Sequence, residues 1–323
     1  MSSNICFEKD SAFLVTGGAG FIGSNITEAL LNMGYKVRVL DNFSTGKREN
    51  VAPFGKNPNF ELMEGDIRDK ECCQKALCGI DYVLHQAAWG SVPRSLEQPL
   101  EYNENNITGT LNMMHFAAKA GVKAFVYASS AAVYGDDDRA EKTEEHIGRP
   151  LSPYAFTKLA DEHYGALYSE LYGLKTVGLR YFNVFGKNQD PEGDYASVIP
   201  KFIRQILRGE DVTIDGDGGQ TRDFVHIENV VQANLRAAMK AENASGRVFN
   251  VACGEKITLL EFYDKLTELL HSHRRPVFGP PRAGDIRHSL ASIENIKKYL
   301  EYMPTVGFFE GLEKTIEWYK ENI

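Results

Sequence analysis

The first half of the chain alternates short, continuously apolar runs with longer amphipathic ones. AFLVTG (12–17), KVRVLDN (36–42), FELMEGD (60–66), DYVLHQAA (81–88), AFVYASS (124–130) and TVGLRYFNVFG (176–186) have the composition of strands. Helical patterns stand between them, notably over 22–33, 103–120 and 153–172. Apolar strands that alternate with helices predict a parallel sheet buried on both faces. The expected fold class is therefore α/β, a doubly wound parallel sheet. Beyond residue 186 the texture changes. Loops such as IDGDGGQTRD and FGPPRAGDIR separate short helices, which predicts a smaller C-terminal α/β domain over 187–323. DFVHIENVVQANLRAAM and VFNVACG again read as core, so elements at about 223–252 are expected to return to the first domain and the two interleave.

LVTGGAGFIG places Gly17, Gly20 and Gly23 as GxxGxxG between the first strand and a helix. Small residues there let backbone approach a pyrophosphate, and a helix N-terminus favours its charge. A tight strand–helix turn would use the same glycines. The next strand ends in Asp41, and 41 − 17 = 24, near the spacing of about 20 at which an acid meets a ribose hydroxyl. Residues 1–186 are thus expected to form a dinucleotide-binding Rossmann domain. An acid at that place repels a 2′-phosphate and favours NAD over NADP, with Arg38, Lys47 and Arg48 close enough to leave the choice open. GDIRD (65–69) and HQAA (85–88) end later strands and are expected on the crevice.

Length and charge exclude several classes. The chain has 323 residues, 43% hydrophobic and 25% charged, with net charge −8. It has no long basic block, so nucleic acid is not an expected partner. No apolar run reaches the ~18 residues of a membrane span. The start, MSSNICFEKD, lacks the character of a signal peptide, and a cytoplasmic protein is expected. Cys6, Cys72, Cys73, Cys78 and Cys253 form no CxxC pair, so free thiols and no metal site are expected.

SPYAFTK carries Tyr154 and Lys158, four apart and on one helical face. Tyr154 is the only one of the 15 tyrosines with a lysine at that spacing. Packing of the ring on the lysine stem remains an alternative. A free phenol titrates near pH 10, and bringing it to neutrality takes roughly 4 kcal/mol. A neighbouring ammonium and a cationic nicotinamide supply stabilisation of that kind. Ser130 ends the strand before this helix, with 154 − 130 = 24.

With these residues in place, TGGAGFIG, LDNFSTG, GDIRD, SSAAVYG, SPYAFTK and LRYFNVFG resemble the extended short-chain dehydrogenase/reductase family over nearly the full chain. The resemblance is closest to nucleotide-sugar 4-epimerases, and among them to bacterial UDP-N-acetylglucosamine 4-epimerases, through HQAAWGSVPRS, LRYFNVFGKNQDP, TRDF and RAGDIRHSL. It implies a tightly bound NAD regenerated in each cycle. It also implies catalysis by Ser130, Tyr154 and Lys158. The implied cofactor residues are Gly17, Gly20, Phe21, Ile22, Gly23, Asp41, Asn42, Ser44, Thr45, Gly46, Asp66, Ile67, Gln86, Ala87, Ala88, Asn105, Ser129, Tyr154, Lys158 and Phe182.

The resemblance further implies a UDP-sugar substrate met by Ser91, Arg94, Ser130, Tyr154, Asn183, Arg222, Arg282, Asp285 and Ser289. Related 4,6-dehydratases carry an acid pair where this chain has Ala131 and Ala132, and alanine does no acid–base work. Phe224 stands where many glucose-type epimerases have tyrosine, which puts one hydroxyl contact in doubt. Ser289 stands where glucose-restricted relatives have a bulky tyrosine, so it leaves room for a 2-acetamido group. Arg94 is open to a role against a uronate carboxylate or as a loop anchor. The expected reaction is 4-epimerisation of UDP-N-acetylglucosamine and UDP-N-acetylgalactosamine, with UDP-glucose and UDP-galactose as further substrates. The alternatives are a UDP-uronate 4-epimerase, a net NAD-dependent dehydrogenase, or a non-enzymatic sensor, against which the intact catalytic set speaks. The family's usual homodimer, through helices at about 98–120 and 153–172, is also implied.

Overall fold

The computed structural model describes residues 5–192, 197–281 and 287–322. Strands β1 (Ala12–Thr16), β2 (Lys36–Asp41), β3 (Phe60–Glu64), β4 (Tyr82–His85), β5 (Ala124–Ser130) and β6 (Thr176–Tyr181) join the strand Arg247–Val251 in one sheet. Its order is (247–251)–β6–β5–β4–β1–β2–β3, and every pairing is parallel. Chain connections leave β1 toward β2 and return at β4. The neighbouring ends of β1 and β4 therefore open a crevice where the strand order reverses. Thr16 and His85 are register partners there.

Alternation along the strands explains the two layers. Phe13, Val15, Val39, Val126 and Leu179 face one side, where they pack with Ile26 and Leu30 of the helix Phe21–Asn32 and Val230 and Ala237 of the helix Ile227–Met239. Leu14, Leu40, Val83, Phe125 and Tyr127 face the other, with Met113, Met114 and Ala117 of the helix Gly109–Ala120 and Tyr168 of the helix Pro153–Tyr172. Each fully buried Leu or Ile contributes about 1.5–3 kcal/mol, so both layers contribute to holding the sheet. Cys73 is fully buried in the second layer and acts as a small apolar residue. A third apolar cluster, separate from the sheet, gathers Phe202, Phe224, Phe262, Phe308 and Ile316.

The expected strand 176–186 divides. Asn183 takes φ +27°, in the region that breaks an extended chain, and its side-chain amide donates to the Asp223 carbonyl at 3.0 Å. Val184–Phe185 then forms a separate short strand beside Val225–His226. The expected helix 103–120 also differs. It begins at Pro99, widens to a π turn over Asn103–Thr108 and becomes regular from Gly109. Among the described residues no helix is long and apolar enough to cross a membrane, all five cysteines are free, and no cluster of His, Cys, Asp and Glu could hold a metal ion.

Candidate active site

The cleft at the reversal point begins with the glycine turn. Gly17 has φ +66°, and a Cβ there would lie 2.7 Å from the Ala87 nitrogen. A Cβ on Gly23 would lie 2.1 Å from the Gly17 carbonyl oxygen. Neither collision can be relieved by turning a side chain, because the blocking atoms are backbone. The helix Phe21–Asn32 starts at Gly20 with no side chain capping it. Its first-turn N–H groups lack intrahelical acceptors. Gly17, Gly20, Phe21, Ile22 and Gly23 all line the cleft. Close backbone and a positive helix end make this wall suited to a diphosphate.

Asp41, at the end of β2, is buried in the cleft wall. Its Oδ2 accepts from the Ala19 N–H at 2.9 Å and its Oδ1 from the Phe43 N–H at 2.8 Å. Burial nevertheless raises its pKa, against the lowering effect of those two bonds. A carboxylate has lone pairs beyond these two for ribose hydroxyls. Each of the three nearby basic residues is paired with a carboxylate, and Lys47 with its partner Asp190 stands in the cleft wall itself. Arg38 pairs with Glu61 at 2.8 Å, Arg48 with Glu64 at 2.7 Å and Lys47 with Asp190 at 2.9 Å.

Asn42, Ser44, Thr45, Gly46, Ile67, Gln86, Ala87, Ala88 and Asn105 also line the cleft. Asn105 does so from the π turn, a distortion common at functional sites. The Gln86 amide is held by Asn234 at 3.0 Å and by the Tyr181 hydroxyl at 3.0 Å. Asp66 and Phe182, also expected at the cofactor, are not among the residues that line the cleft, although Gly65 and Ile67 on either side of Asp66 are. The Asp66 carboxylate is turned to Arg68, at 3.0 and 2.7 Å, and to the Asn42 amide. The Arg68 hydrogen bond holds its pKa at about 2. Phe182 is fully buried, with its ring against Tyr134, because the chain must plug the core where β6 ends. Tyr181, beside it, lines the cleft instead.

Tyr154 and Lys158 share the cleft wall near Ala128 and Ser129. Their helix is started by Ser152, whose hydroxyl accepts from the Ala155 N–H, and by Pro153. Lys158 is almost fully buried and its ammonium lies 3.2 Å from Asp161. Ser129 donates its hydroxyl to Glu162 at 2.5 Å. Arg180 grips the same carboxylate with two bonds of 2.8 Å. Ser130 begins the short turn Ala131–Tyr134, where its hydroxyl oxygen accepts from the Ala132 N–H at 3.1 Å. An oxygen that accepts there still has a proton to give. Ala131 and Ala132 are half-buried.

The expected substrate residues divide by position. Ser91 caps the helix Val92–Glu97, its hydroxyl accepting from the Arg94 N–H. The Arg94 guanidinium sits 4.3 Å over the Trp89 ring and bonds Gln98 at 3.1 Å. Asn183 donates to the Asp223 carbonyl, and Arg222, the residue before Asp223, donates to the Thr221 carbonyl at 2.9 Å. Ser289 is half-buried and its N–H donates to Thr221. Arg282 and Asp285 lie outside the described residues. Phe224 is buried in the third cluster, stacked on Phe308 at 5.1 Å. It serves packing, so a missing hydroxyl there has a structural account.

The model of the NAD dependent epimerase/dehydratase family matches residues 13–252. The chain belongs to that family. The UDP-N-acetylglucosamine 4-epimerase from Methanobrevibacter ruminantium M1, solved in complex with UDP-N-acetylmuramic acid, is 40% identical with a TM-score of 0.92 and covers 98% of this chain and 100% of its own. The UDP-glucuronic acid 4-epimerase from Bacillus cereus, in complex with UDP-glucuronic acid and NAD, is 32% identical with a TM-score of 0.88 and covers 97% and 100%. A UDP-glucose 4-epimerase of Mycolicibacterium smegmatis is 35% identical over 316 residues, 96% of this chain and 98% of its own.

As a member of this NAD-dependent family, the chain has a cleft that fits the cofactor. Side chains are excluded where the diphosphate would approach Gly17 and Gly23, and Asp41 stands one strand away for a ribose. The sequence reading omitted several wall residues. Trp89 and Gly90 directly follow HQAA and were within reach of the same strand-end argument. Lys47, Asn188 and Asp190 enter the wall through long-range contacts, the Lys47–Asp190 ion pair at 2.9 Å and the Asn188–Ser24 hydrogen bond at 3.0 Å, which local sequence does not show.

Proposed function

We propose that the protein is a UDP-sugar 4-epimerase whose substrates are UDP-N-acetylglucosamine and UDP-N-acetylgalactosamine. The observation that carries this reading is the convergence of Tyr154, Lys158 and Ser129 on one cleft beside the glycine turn, with Ser130 next to Ser129 at the end of its strand. The carboxyl-free Ala131 and Ala132 follow directly. In this reading the Tyr154 phenol oxygen takes the proton of the sugar 4-OH and later returns it to the same oxygen. The Lys158 ammonium stabilises the phenolate and holds the nicotinamide ribose, and the Ser130 hydroxyl hydrogen-bonds the reacting oxygen. Bound NAD supplies the acceptor, and then the donor, of the C4 hydride. With no acid at 131 or 132, nothing in that turn eliminates water, so the 4-ketone returns to one of two alcohols and net redox change is zero.

The relatives with UDP-sugars support a UDP-sugar in general. For the N-acetyl sugars, support comes from the small, half-buried Ser289. A homodimer is supported by Leu100, Phe156, Leu167, Leu171 and Tyr172, all large, apolar and exposed on helices of one layer.

The test is incubation with each UDP-sugar without added reductant, following the C4 configuration by proton NMR. Equilibration of the N-acetyl pair is expected. Turnover of UDP-glucuronate or its N-acetyl analogue alone would reassign the substrate. Stoichiometric NADH release would replace epimerisation with dehydrogenation.

A further inference from the structure

Tyr154, Lys158 and Asp161 stand at i, i+4 and i+7 of the helix Pro153–Tyr172, and so on one face. Lys158 is 2% exposed and Asp161 is 1% exposed. The Lys158 ammonium is 3.2 Å from Asp161 Oδ2, and among the described residues no other carboxylate lies within ion-pair distance of it. The second oxygen, Oδ1, is buried without a hydrogen-bond partner.

The charged and titratable surroundings of Asp161 come from every adjoining element. Glu162 is next on its own helix, but its carboxylate is engaged by Arg180 of β6. Tyr127 of β5 and Thr110 of the helix Gly109–Ala120 face Asp161. Thr110 bonds His85 of β4 at 3.0 Å, and His85 bonds Thr16 at 2.7 Å. Thr16 in turn accepts from the Ala87 N–H at 3.3 Å, on the cleft wall. Burial, helped by the Lys158 charge, lowers the His85 pKa to about 3, so this ring stays neutral. Asp161 is thus the carboxylate that Lys158 meets, and burial raises its pKa to about 7 against the lowering effect of the Lys158 charge. A carboxylate beside an ammonium cancels part of the field that the ammonium projects.

We propose that Asp161 is the positioning residue for Lys158: its carboxylate pins the ammonium one turn behind Tyr154 and tempers the positive field that the phenol receives. This rests on the catalytic pair proposed above. The side chains of Asp161, Thr110, His85 and Thr16 are all buried. That suits a reaction in which Tyr154 returns the proton it borrows and needs no exchange with solvent.

The test uses NAD-loaded Asp161→Asn, Asp161→Glu and Tyr154→Phe proteins. The kcat is followed between pH 5 and 9 with the UDP-sugar that the NMR assay shows to be turned over. The Tyr154 phenol is titrated by ultraviolet difference against Tyr154→Phe. With Asp161→Asn, the acid limb of kcat and the phenol midpoint are both expected to move down by about one pH unit. Asp161→Glu is expected to bring them back toward the parent. An unmoved or upward-moved midpoint in Asp161→Asn overturns the proposal, even if stability changes. Should that variant fail to fold, Thr110→Val is read in its place. Loss of the hydroxyl that favours the Asp161 anion is expected to give a smaller shift in the same direction, and no shift again overturns the proposal. Activity in Tyr154→Phe would remove the catalytic assignment itself. An inactive Tyr154→Phe with an unshifted Asp161→Asn removes only the role of Asp161.

Discussion

The Trp89 indole N–H donates to the Ser44 hydroxyl at 3.3 Å, joining the loop after β4 to the loop after β2. Both residues line the cleft, so the bond closes one side of it. Removing the donor while keeping an aromatic ring, as in Trp89→Phe, should loosen this closure. A hydrogen bond worth about 1 kcal/mol corresponds to a roughly fivefold faster loss of NAD. Dilution of the NAD-loaded protein into a scavenging dehydrogenase measures that rate. An unchanged rate would mean that the bond does not retain the cofactor. The chain has two tryptophans. NAD binding is therefore expected to change the fluorescence of Trp318→Phe protein and to leave that of Trp89→Phe protein nearly constant.

Tyr154→Phe keeps the ring that packs near Tyr102 and removes only the phenol oxygen. Turnover should fall by about 10²–10⁴-fold or more, the range for losing a general acid–base. NAD content after gel filtration should match the parent. Unchanged turnover would discard the assignment.

Ser289→Tyr fills the place held by a small, half-buried side chain. N-acetyl substrates should lose more kcat/KM than UDP-glucose, by at least tenfold, since exclusion by size is a steep filter. Equal losses on both sugars would strip Ser289 of its selectivity.

Asp223 gives a stability signature. Its carboxylate accepts from the backbone N–H groups of Cys253 at 3.0 Å, Gly254 at 3.0 Å and Ala291 at 3.3 Å. Burial outweighs these bonds and raises its pKa to about 6. The folded state thus holds a proton that the unfolded chain, titrating near pH 4, has released. Stability from this group is greatest below pH 4 and is lost as pH rises through 6. Urea unfolding of the parent and Asp223→Asn should show the parent's advantage shrinking by roughly 2–3 kcal/mol from pH 4 to pH 7. A constant difference would contradict the raised pKa.

Leu171 is 66% exposed and Tyr172 is 60% exposed at the end of the helix Pro153–Tyr172. If a second copy covers them, Leu171→Glu should turn a dimer into a monomer in sedimentation velocity. A parent that sediments as a monomer would end the dimer proposal.

The sheet and the glycine turn were legible because their signals are local. An apolar run followed by GxxGxxG needs no tertiary partner to be read. Tyr154 and Lys158 were legible from helical spacing, and the strand end at Ser130 from its neighbouring apolar run. The exceptions required distant partners. Phe182 looked like a cofactor residue by motif, yet core packing against Tyr134 took its side chain. Asn183 interrupted an apparently continuous strand by bonding to Asp223, forty residues later. Trp89 was quoted within its motif, but only the approach of Ser44 gives it a place in the cleft.

The support behind Ser129 comes from late in the chain. Glu162 holds the serine and Arg180 holds Glu162. Arg180 also donates to the Tyr134 hydroxyl, which donates to Asn250. Asn250 is itself fixed by carbonyls of Lys142 and Ser292. A ribosome-bound chain that has not yet released residue 292 can form most of the sheet but lacks the last brace of this relay. Functional maturation therefore trails synthesis of the glycine turn by nearly the whole length of the polypeptide.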